Sequence, residues 1–243
     1  MTLNDKQLSI VVPCYNEARN LPALLARFRE VLTDRHDTEL VLVNNGSRDH
    51  SALVLACELD KPENRFAWVV NVPVNQGYGF GILSGLREAA GEYFAWTHAD
   101  LQTDPADVLL GFARLLAEPK PATCLVRGRR VGRPLVDRAF TVGMGWVASA
   151  ALATPLVDIN AQPKIFHRGL LEKMGDAPWD FSLDLYLLYL AERQGLKVIE
   201  QPVQFGLRKH GEAKGGGSLR GKARLTRRTL QYIFRLRRQL RAA

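Results

Sequence analysis

LSIVVPCYNE (residues 8–17) sets a pattern that the first half of the chain repeats. Its apolar, β-rich beginning, Leu8 to Val12, is typical of a buried parallel strand, because such strands carry few polar residues. Pro13 closes the run, and Asn16-Glu17 is expected to open a helix whose apolar residues recur close to a 3.6-residue period. The stretch therefore predicts a strand that passes directly into a helix.

The same alternation recurs before residue 100. Strand-like runs cover residues 40–43, 66–70 and 93–96, and helix-like segments separate them. Strands that alternate with helices form a parallel, doubly wound sheet. We therefore expect an α/β fold with a Rossmann-like, mostly parallel sheet flanked by helices. The rest of the chain is less regular: it predicts helices over 135–153 and 182–194, and strands over 197–199 and 203–207, among other elements.

Composition restricts the class of protein. The chain has 243 residues, 47% hydrophobic and 24% charged, which is enough to bury a full core. No apolar run approaches the ~20 residues of a membrane span, and the polar N-terminus predicts no secretory signal. Three scattered cysteines argue against a disulfide framework or a zinc site. We therefore expect a cytoplasmic protein.

The net charge of +8 is concentrated near the C-terminus. Residues 220–241 contain nine Arg or Lys and no acid. The pattern over 225–240 predicts an amphipathic helix. That pattern is typical of a helix lying on an anionic membrane surface, and equally of a core-docked helix with solvated arginines. Nucleic acid is not an expected partner, because no recognised RNA or DNA module accompanies the charge.

Three polar residues, His98, Asp100 and Gln102, follow the strand over 93–96 at alternate positions. In an extended chain such residues point the same way, here at the edge where open α/β sheets bind ligands. A carboxylate with two further ligands there predicts a divalent metal that holds a nucleotide diphosphate. The alternative is a strand end that turns into the helix opened by Thr103-Asp104-Pro105.

Five motifs, in order and at predicted strand ends, resemble those of family 2 glycosyltransferases with the GT-A fold. Within that family the chain is similar to the dolichyl-phosphate mannosyltransferase branch and its bacterial polyprenyl-phosphate relatives. The motifs are VPCYNE (12–17), VNNGSRD (43–49), NQGYG (75–79), HADLQ (98–102) and RKHGEAK (208–214). The resemblance implies a catalytic GT-A domain over 1–218, with an acceptor-side C-terminal part, followed by the basic helix over 219–243.

The resemblance also implies where a nucleotide sugar binds. Tyr15 would lie along the base, Glu17 would hydrogen-bond the nucleoside, and Asn45 stands where the family has an Asp that contacts the base. Gly77 and Gly79 would allow the donor to approach the backbone closely. Tight packing between the helix and the sheet would explain both glycines equally well. The full set is Pro13, Tyr15, Glu17, Asn45, Gly77, Gly79 and Asp100.

For the metal, the resemblance implies Mn²⁺ or Mg²⁺ with Asp100 as principal ligand and Gln102 as a secondary one. His98 stands where the family typically has Asp. An imidazole is a softer ligand than a carboxylate and suits Mn²⁺ better than Mg²⁺. His98 as a ligand and His98 as a donor to the diphosphate both remain open.

For the acceptor, the resemblance implies contacts from Arg130, Arg138 and Gln162, with Arg129 an alternative to Arg130. A lipid phosphate is already anionic, so it needs positive charge rather than a general base. The catalytic set is Asp100, Arg208, Lys214 and Asp184. The basic pair lies on a glycine-flanked loop that would close on the leaving diphosphate, and Asp184 is either a base for a hydroxyl acceptor or an ion-pair partner.

The expected activity is an inverting, metal-dependent transfer of a sugar from a GDP- or UDP-sugar to a polyprenyl phosphate at the cytoplasmic membrane face. One alternative is a transferase of the same fold that uses a sugar hydroxyl of a cell-surface glycan, with Asp184 as base. Another is a degenerate binder of nucleotide sugars. A separate membrane-anchored partner protein is compatible with all three. The missing Q-x-x-R-W motif of processive synthases argues against polymerisation.

Overall fold

The computed structural model describes residues 6–132, 135–206 and 219–242, and within 135–140, 219–225 and 239–242 it describes the backbone alone. The strands in these residues are β1 (Leu8–Cys14), β2 (Thr38–Asn45), β3 (Ala67–Val72), β4 (Tyr93–Trp96), β5 (Cys124–Val131), β6 (Lys164–His167) and β7 (Lys197–Gln204). The α-helices are α1 (Leu21–Val31), α2 (Ser51–Leu59), α3 (Tyr78–Glu88), α4 (Ala106–Leu116), α5 (Leu135–Leu152), α6 (Leu183–Arg193) and α7 (Leu219–Ala242).

The strands form a single mixed sheet in the order β3-β2-β1-β4-β6-β5-β7. β6 runs antiparallel to its neighbours β4 and β5, and every other pairing is parallel. This arrangement confirms the predicted Rossmann-like, mostly parallel sheet. β1 lies between β2 and β4, so the strand order reverses there, and the crevice at the carboxyl ends of these strands is where such sheets bind ligands.

Successive residues of β1 supply two separate cores. Ile10 and Val12 belong to a cluster with Leu25 of α1 and Phe112 of α4. Val11 belongs to the opposite cluster, which includes residues of α3, α5, α6 and α7. Because neighbouring side chains on a strand point to opposite faces, one apolar run anchors helices on both sides of the sheet.

Two boundaries predicted from sequence were wrong. α1 begins at Leu21 and not at Asn16-Glu17, because Asn16 adopts a left-handed φ of 56° and the residues after it form a loop. One strand, β7, replaces the two expected over 197–207. Pro202 does not interrupt it, since β7 is the edge of the sheet and a proline there loses no hydrogen bond to a second neighbouring strand.

The basic C-terminal helix, α7, is docked on the core. Tyr232, Ile233 and Leu236 are buried in the cluster that also contains residues of α5 and α6. The exposed side of the same helix carries arginines, including Arg227 and Arg228. In the described part of the chain, the structure contains no helix that is both long and apolar enough to cross a bilayer.

Candidate active site

The loops after β1 and β2 hold each other in place at the carboxyl edge. The Glu17 amide donates to Ser51 Oγ at 2.9 Å, and the Arg48 amide donates to Asn16 Oδ1 at 2.7 Å. The Glu17 carboxylate is itself buried and accepts a hydrogen bond of 2.6 Å from Asn20 Nδ2. The structure thus places the predicted nucleoside-binding residues Tyr15 and Glu17 in a platform formed by these two hydrogen-bonded loops.

Asn45, at the end of β2, connects that platform to the start of α3. Its Nδ2 donates to the carbonyl oxygen of Gly77 at 2.9 Å. Its Oδ1 is buried and has no hydrogen-bond partner among the described residues. A buried acceptor without a partner is costly, so this oxygen is suited to receive an N–H from a bound ligand.

The glycines at the start of α3 meet protein backbone. A Cβ at Gly77 would lie 2.2 Å from the carbonyl oxygen of Trp179, and one at Gly79 would lie 2.4 Å from that of Pro178. The Phe80 amide donates to the same Trp179 oxygen at 3.0 Å. Tight packing therefore accounts for both glycines, and their contact with a nucleotide stays a prediction.

The prediction that His98, Asp100 and Gln102 point the same way from an extended chain was wrong. β4 ends at Trp96, and Leu101 has a left-handed φ of 56°, so the three residues do not lie along an extended chain. Instead, Asp100 is buried in a turn and accepts the Gln102 amide at 3.1 Å. The His98 ring lies beside Tyr78, with 5.9 Å between ring centroids.

The donor set near Asp100 fits a metal shared with a ligand. The described residues contain no cluster of three or more His, Cys, Asp or Glu that could hold an ion. Gln102 Nε2 donates to the Gly206 carbonyl at 3.1 Å, so its amide is oriented by the segment that follows β7. Mg²⁺ and similar ions in phosphate-transfer sites are bound by one or two carboxylates together with substrate phosphates and water. One buried carboxylate meets that requirement.

A buried polar network lies between β4, β6 and α6. Asp184 Oδ1 accepts from Trp96 Nε1 at 3.1 Å and from Gln162 Nε2 at 2.8 Å, and it lies 3.7 Å from Lys164 Nζ. Gln162 Nε2 also contacts the Tyr78 hydroxyl at 3.3 Å. Asp184 is thus an ion-pair partner inside the protein, and two sequence-predicted residues, Asp184 and Gln162, are directly bonded.

Lys164 was not included among the site residues predicted from sequence. It is fully buried, and its ammonium donates to the carbonyl oxygens of Ile159 at 2.8 Å and Ala161 at 2.5 Å. Burial lowers the Lys164 pKa to about 8, although the nearby Asp184 carboxylate acts in the opposite direction. The lysine therefore fixes the segment that carries Gln162. A sequence signal existed, because a charged residue directly precedes the apolar pair Ile165-Phe166 of β6.

Arg130 forms a second ion pair, with Asp158. Its backbone amide and guanidinium both bond the Asp158 carboxylate, and the guanidinium lies 5.6 Å from the centre of the Phe205 ring. Burial alone would raise the Asp158 pKa, but the Arg130 hydrogen bonds outweigh it and lower the pKa. Arg129 contacts Glu200 instead, at 3.1 Å. The two arginines therefore have different partners.

The remaining predicted residues are less fully described. Arg138 is a position in α5 whose side chain lies outside the description, and Arg208 and Lys214 lie outside the described residues altogether. Gly128, a residue that the sequence reasoning missed, allows the 162–163 segment to approach β5. A Cβ at Gly128 would lie 2.0 Å from the Gln162 carbonyl oxygen. The Gly128 amide donates to the Pro163 carbonyl oxygen at 2.8 Å.

Comparison with known proteins shows that this chain is similar to glycosyltransferases. The model of the protein family described as glycosyl transferase family 2 matches residues 9–143. An uncharacterised glycosyltransferase of Mycobacterium tuberculosis is 32% identical over 219 residues, which cover 88% of this chain and 92% of that protein. The undecaprenyl-phosphate 4-deoxy-4-formamido-L-arabinose transferase of Photorhabdus laumondii is 27% identical over 214 residues, which cover 86% of this chain and 63% of that protein.

Among solved structures, a mannosyltransferase from Pyrobaculum calidifontis in complex with GDP-Man and Mn²⁺ is similar to this chain. The TM-score is 0.62 and the sequence identity 26%, and the match covers 84% of this chain and 58% of the other. The predicted GT-A architecture is confirmed by this likeness together with the strand order.

Proposed function

The chain belongs to glycosyl transferase family 2 and is a glycosyltransferase, and from this premise we propose that it moves a sugar from a GDP- or UDP-sugar to a polyprenyl phosphate. The displacement is single and inverts the anomeric centre. The reaction takes place at the cytoplasmic membrane face, where such an acceptor presents its phosphate.

The donor occupies the crevice between β1, β2 and β4. Tyr15 covers the base, Glu17 bonds the nucleoside, and the unpartnered Asn45 Oδ1 accepts an N–H from the base. Asp100, together with Gln102 and His98, would hold a divalent metal, which would supply positive charge to the departing nucleotide diphosphate.

The observation that carries the acceptor assignment is the environment of Asp184. Its Oδ1 is contacted by Trp96, Gln162 and Lys164, and the residue is buried. A buried carboxylate oxygen that already accepts two hydrogen bonds and lies beside an ammonium is poorly placed to contact an acceptor hydroxyl, as a general base must. A phosphate nucleophile needs no base, whereas a sugar hydroxyl does.

The acceptor phosphate meets positive charge on the β5 side of the crevice. A guanidinium has five N–H groups, and the side-chain hydrogen bonds from Arg130 to Asp158 use its Nε and one of its terminal nitrogens. Arg130 thus keeps donors for a phosphate while Asp158 holds its plane in position. Arg138 adds charge from α5, and Arg208 and Lys214 close over the diphosphate.

The test combines purified protein, Mn²⁺ or Mg²⁺ and a panel of GDP- and UDP-sugars, with and without undecaprenyl phosphate. Nucleotide release and sugar extracted into the organic phase are measured. Release that depends on the lipid, together with extractable sugar, supports the proposal and identifies the donor. Release without extractable sugar would favour a hydroxyl acceptor, and nucleotide binding without release from any donor would favour a degenerate binder.

A further inference from the structure

One face of α5 is exposed, apolar and continuous. The exposed positions are Val142, Gly143, Trp146, Val147 and Ala150, and together they define the α5 stripe. Their spacing of three, four and seven residues places them on one side of the helix. Trp146 is 77% exposed, the highest value among the large hydrophobic residues whose exposure is described.

The α5 stripe differs from an ordinary exposed apolar residue. Residues 139–157 contain no charged side chain, and Val157, in the segment after α5, is exposed as well. Single exposed residues such as Leu53 on α2 are common on globular proteins, whereas a contiguous apolar patch marks a contact site. The opposite side of α5 already packs on the core through Ala148 and Leu152.

The neighbouring helix supplies charge. α5 packs against α7, and Tyr232, Ile233 and Leu236 of α7 are buried in the core. The exposed side of α7 carries four arginines and a partly exposed aromatic residue: Arg227, Arg228, Arg235, Arg238 and Phe234. The apolar stripe and the arginines therefore lie on the exposed surfaces of two helices that contact each other.

We propose that the α5 stripe and the exposed arginines of α7 form one surface that docks on an anionic lipid bilayer, with Trp146 at the interface. Tryptophan is enriched at that depth because its ring is apolar and its N–H is polar. Charge complementarity favours the bilayer, since the same arginines on a second copy of the chain would repel.

The inference rests on the proposed function for its biological reason, because a polyprenyl phosphate lies in the bilayer. The position of α5 agrees with that role. The chain leaves α5 at Leu152 and reaches Asp158, the partner of Arg130, within six residues. A bilayer held against α5 would therefore present a lipid phosphate close to the proposed acceptor residues.

The experiment measures co-sedimentation of the full chain with phosphatidylcholine vesicles, with and without one-third phosphatidylglycerol. Trp146→Gln is compared with Leu53→Gln, a matched change at an exposed residue of α2. We expect wild type and Leu53→Gln to bind the anionic vesicles equally. Trp146→Gln should bind about tenfold more weakly, since it loses the aromatic ring that the bilayer would bury. Arg227→Gln/Arg228→Gln should weaken binding and reduce its salt dependence.

A parallel assay separates this surface from the transfer reaction. Turnover is measured with a short-chain, water-soluble polyprenyl phosphate, and Trp146→Gln should retain wild-type turnover there. Transfer to the soluble acceptor without vesicle binding, or binding unaffected by Trp146→Gln, would overturn the docking surface and leave the proposed function intact. Vesicle binding that needs Trp146, without transfer to any acceptor, would support the surface and count against the function. A lipid-free dimer that Trp146→Gln dissociates would overturn the bilayer assignment.

Discussion

Lys164 Nζ lies 3.7 Å from Asp184 Oδ1, and the two side chains are 0% and 2% exposed. The pair joins β6 to the first turn of α6 beneath the segment that carries Gln162. Removing one member of a buried pair leaves an uncompensated charge, which costs more than the pair itself contributes. The geometry therefore makes Lys164 a positioning residue for Gln162 and Asp184, which belong to the proposed acceptor side.

Lys164→Met should destabilise the fold by about 3–5 kcal/mol, because Asp184 loses its ammonium and two carbonyls lose their donor. Adding Asp184→Asn should recover part of the loss, since an amide carries no charge and still accepts from Trp96. Urea unfolding of both single variants and the double variant completes the cycle. Strictly additive losses would contradict the coupling.

The stability contributed at Lys164 should rise with pH. Its folded pKa of about 8 lies below the ordinary lysine pKa of 10.5. Between these values the unfolded chain binds a proton that the folded chain lacks, so folding becomes more favourable as pH increases. The gap in unfolding free energy between wild type and Lys164→Met should widen by about 1 kcal/mol per pH unit from pH 8 to 10. A gap that stays constant over this range would show that the pKa is not depressed.

Two glycine substitutions should have opposite effects. Gly128→Ala places a Cβ 2.0 Å from the Gln162 carbonyl oxygen, so backbone must move, and we expect a loss of about 2 kcal/mol or more. A Cβ at Gly143, within α5, meets no atom within 4 Å, and Ala there should stabilise by about 0.5–1 kcal/mol. Thermal unfolding compares them, and equal losses would mean that the close approach to Gln162 is unimportant.

The sheet could be predicted because its signals are local. β2 and β4 were recognised from short apolar runs, and alternation with helices was enough to predict parallel pairing. The start of α1 was missed because Asn16 adopts a left-handed conformation, held by a hydrogen bond from the distant Arg48 amide. Contacts between residues far apart in sequence decide such boundaries.

At the site too, local sequence signals predicted some features, and contacts between distant residues decided others. Motif order located Asp100 and Asn45 at strand ends. The prediction that His98, Asp100 and Gln102 share one face failed because the backbone bends at Leu101. That bend accompanies a hydrogen bond from the Gln102 amide to the Asp100 side chain, which the motif does not reveal. Nothing in RGRR (127–130) distinguishes Gly128, whose importance comes from a segment more than thirty residues away. The burial of Lys164 likewise arises only after β6 enters the middle of the sheet.

His98→Asp should change which metal supports donor binding. The wild-type site offers an imidazole and a buried carboxylate, a set that favours Mn²⁺ over Mg²⁺. A second carboxylate provides the hard oxygen ligand that Mg²⁺ prefers, so the ratio of nucleotide affinities in Mn²⁺ and Mg²⁺ should fall several-fold. Isothermal titration of GDP and UDP in each metal measures the ratio. His36→Asp is the control, because His36 is exposed and lies just before the amino-terminal end of β2, at the opposite end of the strand from the proposed site. It introduces the same charge and should leave the ratio unaltered. A ratio that His98→Asp does not change would assign His98 to the diphosphate or to Tyr78 and not to the metal.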